Sequence, residues 1–195
     1  MKRILKVIPI NKNKTKLIKR AQNGYRDAQE EIYREFSAKM LSVCRYYIKD
    51  IHFAEDVMIT GFFKVFKHLN SFKNTGSFEG WIRRIMVNEC LSFLRRKNEL
   101  VFLDSEEEKR ILETEENQFQ KISDVAYIQK AIDGLPDGYK TVFLLFAIEG
   151  YSHKEIAVQL HIAESTSKSQ LFKARKMLQE KINEFNKQCY ESQSS

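Results

Sequence analysis

HKEIAVQLHIAESTSKSQLFKARKML, residues 153–178, contains two helical patterns joined by a connection of three or four residues. Ser152, with Glu155 three positions later, is a capping box that starts the first pattern. On a projection of about 100° per residue from Ser165, Ser167, Leu171, Ala174, Leu178 and Ile182 fall on one side of the second. Ser165, Lys168, Ser169, Phe172 and Lys176 fall on the opposite side, with Arg175 at its border and Lys173 beyond the other edge. The small Ala157 suits a close helix crossing, so the stretch reads as a helix-turn-helix. Such a second helix turns its polar face to base edges while Lys and Arg neutralise phosphates. An outward phenylalanine is costly in water but useful against a thymine methyl or a sugar, so Phe172 favours DNA over a merely solvated face.

The rest of the chain is also helical in pattern. It has 195 residues, 43% of them hydrophobic, and only Pro9 and Pro136 interrupt it. No alternating run is long enough for a sheet, so the expected class is all-α. Residues 1–98 carry 21 Lys/Arg against 9 Asp/Glu, residues 99–120 carry 2 against 8, and residues 121–195 carry 10 against 9. The basic first block is an electrostatic footprint for a polyanion. Cys44, Cys90 and Cys189 fit neither a disulfide framework nor, with the four histidines, a metal pattern. MKRILKVIPI lacks a signal-peptide core, and no run of apolar residues is long enough to span a membrane. A reducing cytoplasm is the expected compartment. No nucleophile–base grouping or phosphate loop is present, so neither an enzyme nor a cofactor is expected.

The pattern divides into two small helical domains. After a flexible arm (1–13), helices are expected from Lys16 to Asn23-Gly24, from an Asp27 cap through Ile32, Tyr33, Phe36, Met40, Val43, Tyr47 and Ile48, from about Phe53 to Leu69, and from Ser77 or Phe78 to about Arg96. These make the domain 14–98. The glutamate-rich stretch 99–121 reads as a flexible acidic linker. The second domain, 122–184, begins with a stripe of Val125, Ile128, Ala131 and Ile132 that ends at GLPDG, and a flexible tail (185–195) follows it.

LPDGYKTVFLLFAIEGYSHKEIAVQLHIAESTSKSQLFKARKML resembles region 4 of bacterial sigma-70-type factors, in particular the extracytoplasmic-function (ECF) group. AEDVMITGFFKVFKHLNSF and SFEGWIRRIMVNECLSFLRRKN resemble regions 2.2 and 2.3–2.4, in the family's order. The resemblance covers about residues 14–98 and 122–183. It implies a promoter-recognition subunit that binds core RNA polymerase and promoter DNA, and it implies an anti-sigma partner.

Carried over to this sequence, the resemblance places Asp56, Thr60, Phe63 and Lys64 on the surface that docks on core polymerase. It places Lys73, Asn74, Thr75, Gly76 and Ser77 in the loop that holds a flipped −10 base, and Trp81, Arg83, Arg84 and Asn88 on the helix that separates the −10 strands. Ser165, Thr166, Lys168, Ser169, Phe172, Lys173 and Arg175 become the −35 reading set. Melting costs about 1.4 kcal/mol per base step, so a basic surface with aromatic rings is needed to trap the extruded strand. A lone tryptophan on an amphipathic helix is more often core than base platform, so Trp81, and with it Phe63 and Phe66, is expected in the core before it is expected on a base. His161 stands where glycine is frequent in the family, Ser167 where a buried valine is usual, and Ser92 where aspartate is common.

Promoter elements about 16–17 base pairs apart lie about 55 Å apart. A linker of about 22 residues reaches at most about 75 Å, which suffices. Its acidity fits a mimic of RNA in the polymerase channel. The competing reading is a free-standing helix-turn-helix regulator that dimerises through residues 16–97.

Overall fold

The computed structural model describes residues 11–73, 75–103 and 124–193. Among these, every regular element is helical. The chain divides into two compact units, Met1–Lys97 and Asn98–Ser195. Of the expected arm, residues 1–10 lie outside the described residues, and Asn11–Asn13 already belong to α1 (Asn11–Gln22). Residues 104–121 of the acidic stretch also lie outside them.

In the first unit α1 ends before Gly24, whose φ of 83° is a conformation glycine adopts without strain. α2 (Arg26–Tyr47) buries Ile32, Phe36, Met40, Val43 and Tyr47 of the expected stripe, and Ala28 besides, whereas Tyr33 of that stripe is exposed. Its expected cap is corrected: Asp27 lies in the first turn, where it complements the helix dipole and pairs with the Arg20 guanidinium. α3 (Ile51–Lys67) starts earlier than expected, because the Asp50 carboxylate accepts the backbone N–H groups of His52 at 2.8 Å and Phe53 at 3.3 Å. A 3-10 turn, Leu69–Ser71, leads to the loop before α4 (Phe78–Leu103). The Ser77 hydroxyl accepts the Gly80 N–H at 3.2 Å at the start of α4. With no glycine or proline after Arg96, α4 continues to Leu103, beyond its expected end.

The core of this unit holds Cys44 and Cys90 as free, buried thiols. A hydrogen bond with Cys44, and then burial, hold the Cys90 thiol well above the usual thiol range. Gly61 is a notch on α3 for Met86, which is wholly buried on α4. A Cβ at residue 61 would overlap Met86 Sδ and stand 3.0 Å from its Cε. Gly61→Ala adds about 1 kcal/mol of helix propensity, but overpacking costs about 1–3 kcal/mol. The variant is therefore expected to lower stability by up to about 2 kcal/mol in thermal or urea melting. A higher melting temperature would mean that Met86 swings clear.

The second unit contains α5 (Asp124–Asp133), α6 (Asp137–Phe143), a π-helical turn (Leu144–Ile148), α7 (His153–Leu160) and α8 (Glu164–Gln193). Ala131, Leu135, Ala174 and Leu178 form its core, with Tyr139, Phe143 and Met177 packed against them. Ile128, expected in the α5 stripe, is exposed. Nothing in the sequence marks Lys140, which is 2% exposed and meets the Asp133 carboxylate at 2.6 Å. Removing Asp133 alone would leave the buried Lys140 ammonium unpaired, which is destabilising. α8 runs through the expected tail to Gln193, braced where Tyr127 stacks on Phe185 at 3.9 Å and donates to the Lys181 carbonyl at 2.7 Å.

Candidate functional site

Three surfaces collect the residues that the sequence singles out, two on the first unit and one on the second. On α3, Asp56, Thr60, Phe63 and Lys64 all lie on the exposed side. Phe63 is 69% exposed, so it takes no part in the core, whereas Phe62 beside it is buried and Phe66 is half-buried. Ile59 and Phe53 are exposed as well and extend this face, although the sequence reading passed over them. Their spacing of three and four from Asp56 and Phe63 is the signal that could have found them. Lys64 donates to Glu89 of α4 at 2.6 Å, and Glu89 is itself buried. Glu89 is the one acidic residue in the largely apolar run MVNECL, and nothing in the sequence marks it as a partner.

The second surface is the loop before α4. Gln22 of α1 donates to the carbonyls of Leu69 at 3.1 Å and Phe72 at 3.2 Å, which fixes where the loop begins. Phe72 and Phe78 are buried, and half-buried Trp81 packs on both, at 5.5 Å and 5.8 Å between ring centroids. Trp81 is thus partly packed, and it also lines a cavity of about 480 Å³. Lys73, Thr75, Gly76, Ser77 and Arg84 line the same cavity. Gly76 turns the loop with φ 95°, in the left-handed region. A planar, electron-rich group would find an aromatic wall, hydroxyl groups and two cations there. Asn74 lies outside the described residues.

Arg83 and Asn88 do not line this cavity. Arg83 is one position, about 100°, round the helix from Arg84. Asn88 is half-buried, and its Oδ1 has no hydrogen-bond partner. The Ser92 hydroxyl donates to the Asn88 carbonyl at 2.9 Å and accepts from Arg95 at 3.1 Å, so this serine serves the helix and orients a cation.

The third surface is α8. Ser167, Leu171, Ala174 and Leu178 are buried, and Ser165, Lys168, Ser169, Phe172, Lys173 and Arg175 are exposed, as the projection predicts; Thr166 is half-buried. Phe172 is 70% exposed. The capping box at α7 forms, with the Ser152 N–H on Glu155 Oε2 at 2.8 Å and the Glu155 N–H on Ser152 Oγ at 3.3 Å. His161 ends α7 at φ 55°, ψ 43°, the left-handed conformation that favours glycine and costs other residues about 1–2 kcal/mol. Ser167 is fully buried with its hydroxyl 2.9 Å from His153 Nδ1. A polar bond thus stands where the resemblance would place a valine.

The cations of α8 differ in their partners. Lys168 pairs with Glu164 at 2.7 Å, and it holds the Glu164 carboxyl below its ordinary range. Lys176 approaches Glu180 at 3.9 Å. Lys173 stands 5.9 Å over the Tyr139 ring and Arg175 5.4 Å over the Phe146 ring. Among the described residues no cluster of metal-binding side chains occurs, and no helix is long and apolar enough to cross a membrane.

The family described as Sigma-70 region 2 matches residues 32–99, and that described as Sigma-70, region 4 matches residues 126–178. The ECF RNA polymerase sigma-E factor of Haemophilus influenzae is 27% identical over 179 residues, covering 85% of this chain and 93% of that protein. The ECF RNA polymerase sigma factor SigW of Bacillus subtilis is 27% identical over 184 residues, covering 87% and 96%. Among solved structures, the sigma factor RpoE in complex with the anti-sigma factor NepR from Bartonella quintana is similar in fold. Its TM-score is 0.50 at 21% identity, over 79% of this chain and 98% of that one.

Proposed function

Because this chain belongs to the ECF group of the sigma-70 family, we propose that it is the RNA polymerase subunit that recognises a promoter and opens it for initiation. The observation that carries the reading is the presence of both sigma-70 regions, in order, within one chain. A free-standing helix-turn-helix regulator leaves the region 2 match over residues 32–99 without a purpose.

Asp56, Thr60, Phe63 and Lys64, with Ile59 and Phe53 beside them, form the surface for core polymerase. The apolar members supply burial, and the charged ones set the register of docking. Lys73, Thr75, Gly76 and Ser77, with Trp81 and Arg84, take an extruded −10 base into their cavity. Arg83 and Asn88 act along α4 outside it. Stacking of a base on an aromatic ring is worth about 1–3 kcal/mol, comparable to the cost of unstacking it. The exposed face of α8 reads the −35 element, with Lys173 and Arg175 on phosphates and Phe172 against a base or sugar. The chain supplies recognition and leaves bond-making to the polymerase, in the cytoplasm. An anti-sigma protein would silence it by covering these surfaces.

The test is reconstitution. The purified chain, mixed with core polymerase, should co-elute as a complex and direct run-off transcription from a subset of promoter fragments that core alone ignores. Failure to bind core in a clean system would sink the reading.

A further inference from the structure

We propose that Phe146 is a positioning residue that aims Arg175 at a DNA phosphate, with Ser167 and His153 bracing the ring. The proposal rests on the reading of α8 as the DNA-facing helix.

Lys168 and Lys176 lie on the reading face itself, and each is matched by a carboxylate one turn away. Arg175 and Lys173 lie at opposite edges of that face, where a helix in the major groove passes the two phosphate backbones. Each stands over an aromatic ring contributed by an earlier segment, Phe146 for Arg175 and Tyr139 for Lys173. A carboxylate partner cancels a cation, whereas a ring attracts it through its quadrupole and leaves the full charge for a phosphate. Guanidinium suits this best, being planar, weakly hydrated and able to stack while its N–H groups point outward.

The ring is held in turn. Phe146 lies in the π-helical turn, where the Glu149 N–H donates to the Leu144 carbonyl five residues back. Such wide turns are frequent at functional sites. The His153 ring stacks on Phe146 at 4.7 Å and 26°. His153 Nδ1 meets the buried Ser167 hydroxyl at 2.9 Å, and Ser167 faces the core from the same helix that carries Arg175. The contacts therefore run from α8 through α7 and the π turn and return to α8. An apolar residue at 167 would fill the space but could not set the plane of the imidazole. The order in this chain lowers the conformational entropy that Arg175 loses on meeting DNA.

The test uses the full chain and a labelled duplex of about 20 base pairs of mixed sequence, titrated at about 50 and 200 mM salt. Arg175→Ala should weaken binding about tenfold and flatten the salt dependence by about one counterion. Phe146→Leu should weaken it about threefold to tenfold, and Phe146→Tyr should restore it to within about twofold of the parent. In the double variant, Phe146→Leu should add nothing to Arg175→Ala, because its effect passes through the guanidinium. Losses that simply add, or a tyrosine that fails to restore binding, would overturn the proposal even if Phe146→Leu also lowers the melting temperature. Wild-type binding by Arg175→Ala would instead remove the reading of α8, and this proposal with it.

Discussion

Replacing Lys168 and Arg175 together by alanine is expected to weaken DNA binding about 30-fold near physiological salt and to flatten its salt dependence by nearly two counterions. The two cations are not equal. Lys168 shares its charge with Glu164 at 2.7 Å, whereas Arg175 rests on a ring and remains fully available to a phosphate. About tenfold of the loss should therefore follow Arg175 and about threefold Lys168. Both side chains are exposed and give up only surface contacts worth less than about 1 kcal/mol each, so the melting temperature should move little and core polymerase binding should persist. Anisotropy titrations at several salt concentrations measure the slope directly. A slope equal to that of the parent would take α8 off the DNA.

The opposite separation is expected on α3. Phe63→Ala should weaken core polymerase binding by about 2 kcal/mol, roughly 30-fold, because an exposed aromatic side chain on a docking face is the usual anchor of an interface. Asp56→Ala should weaken it as well, chiefly by slowing association, with an effect that salt reduces. Neither side chain supports the fold: Phe63 is 69% exposed and Asp56 is exposed. Ile59→Ala, at 57% exposure, should act in the same direction by a smaller amount. Binding to isolated duplex DNA should be unchanged in all three. Equal losses of core and DNA binding would point to unfolding, and a normal core affinity for Phe63→Ala would move the docking surface elsewhere.

Periodicity made much of this legible in advance. The buried seam and exposed face of α8 follow from side-chain spacing alone, because the helix has one neighbouring layer to pack against. The α2 stripe and the capping box at Ser152 were readable for the same reason, since each is settled within a few residues. What could not be read depends on partners distant in sequence. Glu89 gains its meaning from Lys64, 25 positions away, and Ser167 from His153, 14 positions away. Lys140 reads as an ordinary surface lysine, although it is buried and Asp133 of α5 lies within reach of it. The π turn has no signature in VFLLFAIEG, since one widened turn leaves the apolar pattern nearly unchanged. The misplaced Asp27 cap arose from local competition: Arg20 was available to the carboxylate, and the helix had already begun at Arg26.

The notch at Gly61 also bears on oxidative damage. Met86 sulfur lies where α3 has given up even a methyl group, so a sulfoxide oxygen there would have as little room as a Cβ. Within the folded unit the thioether is shielded, because Met86 is wholly buried. A chain oxidised before its helices close would carry a polar, bulkier side chain into a space cut for a bare sulfur. The hazard therefore falls on newly made chains rather than on finished ones, because the folded unit keeps this methionine out of reach of peroxide.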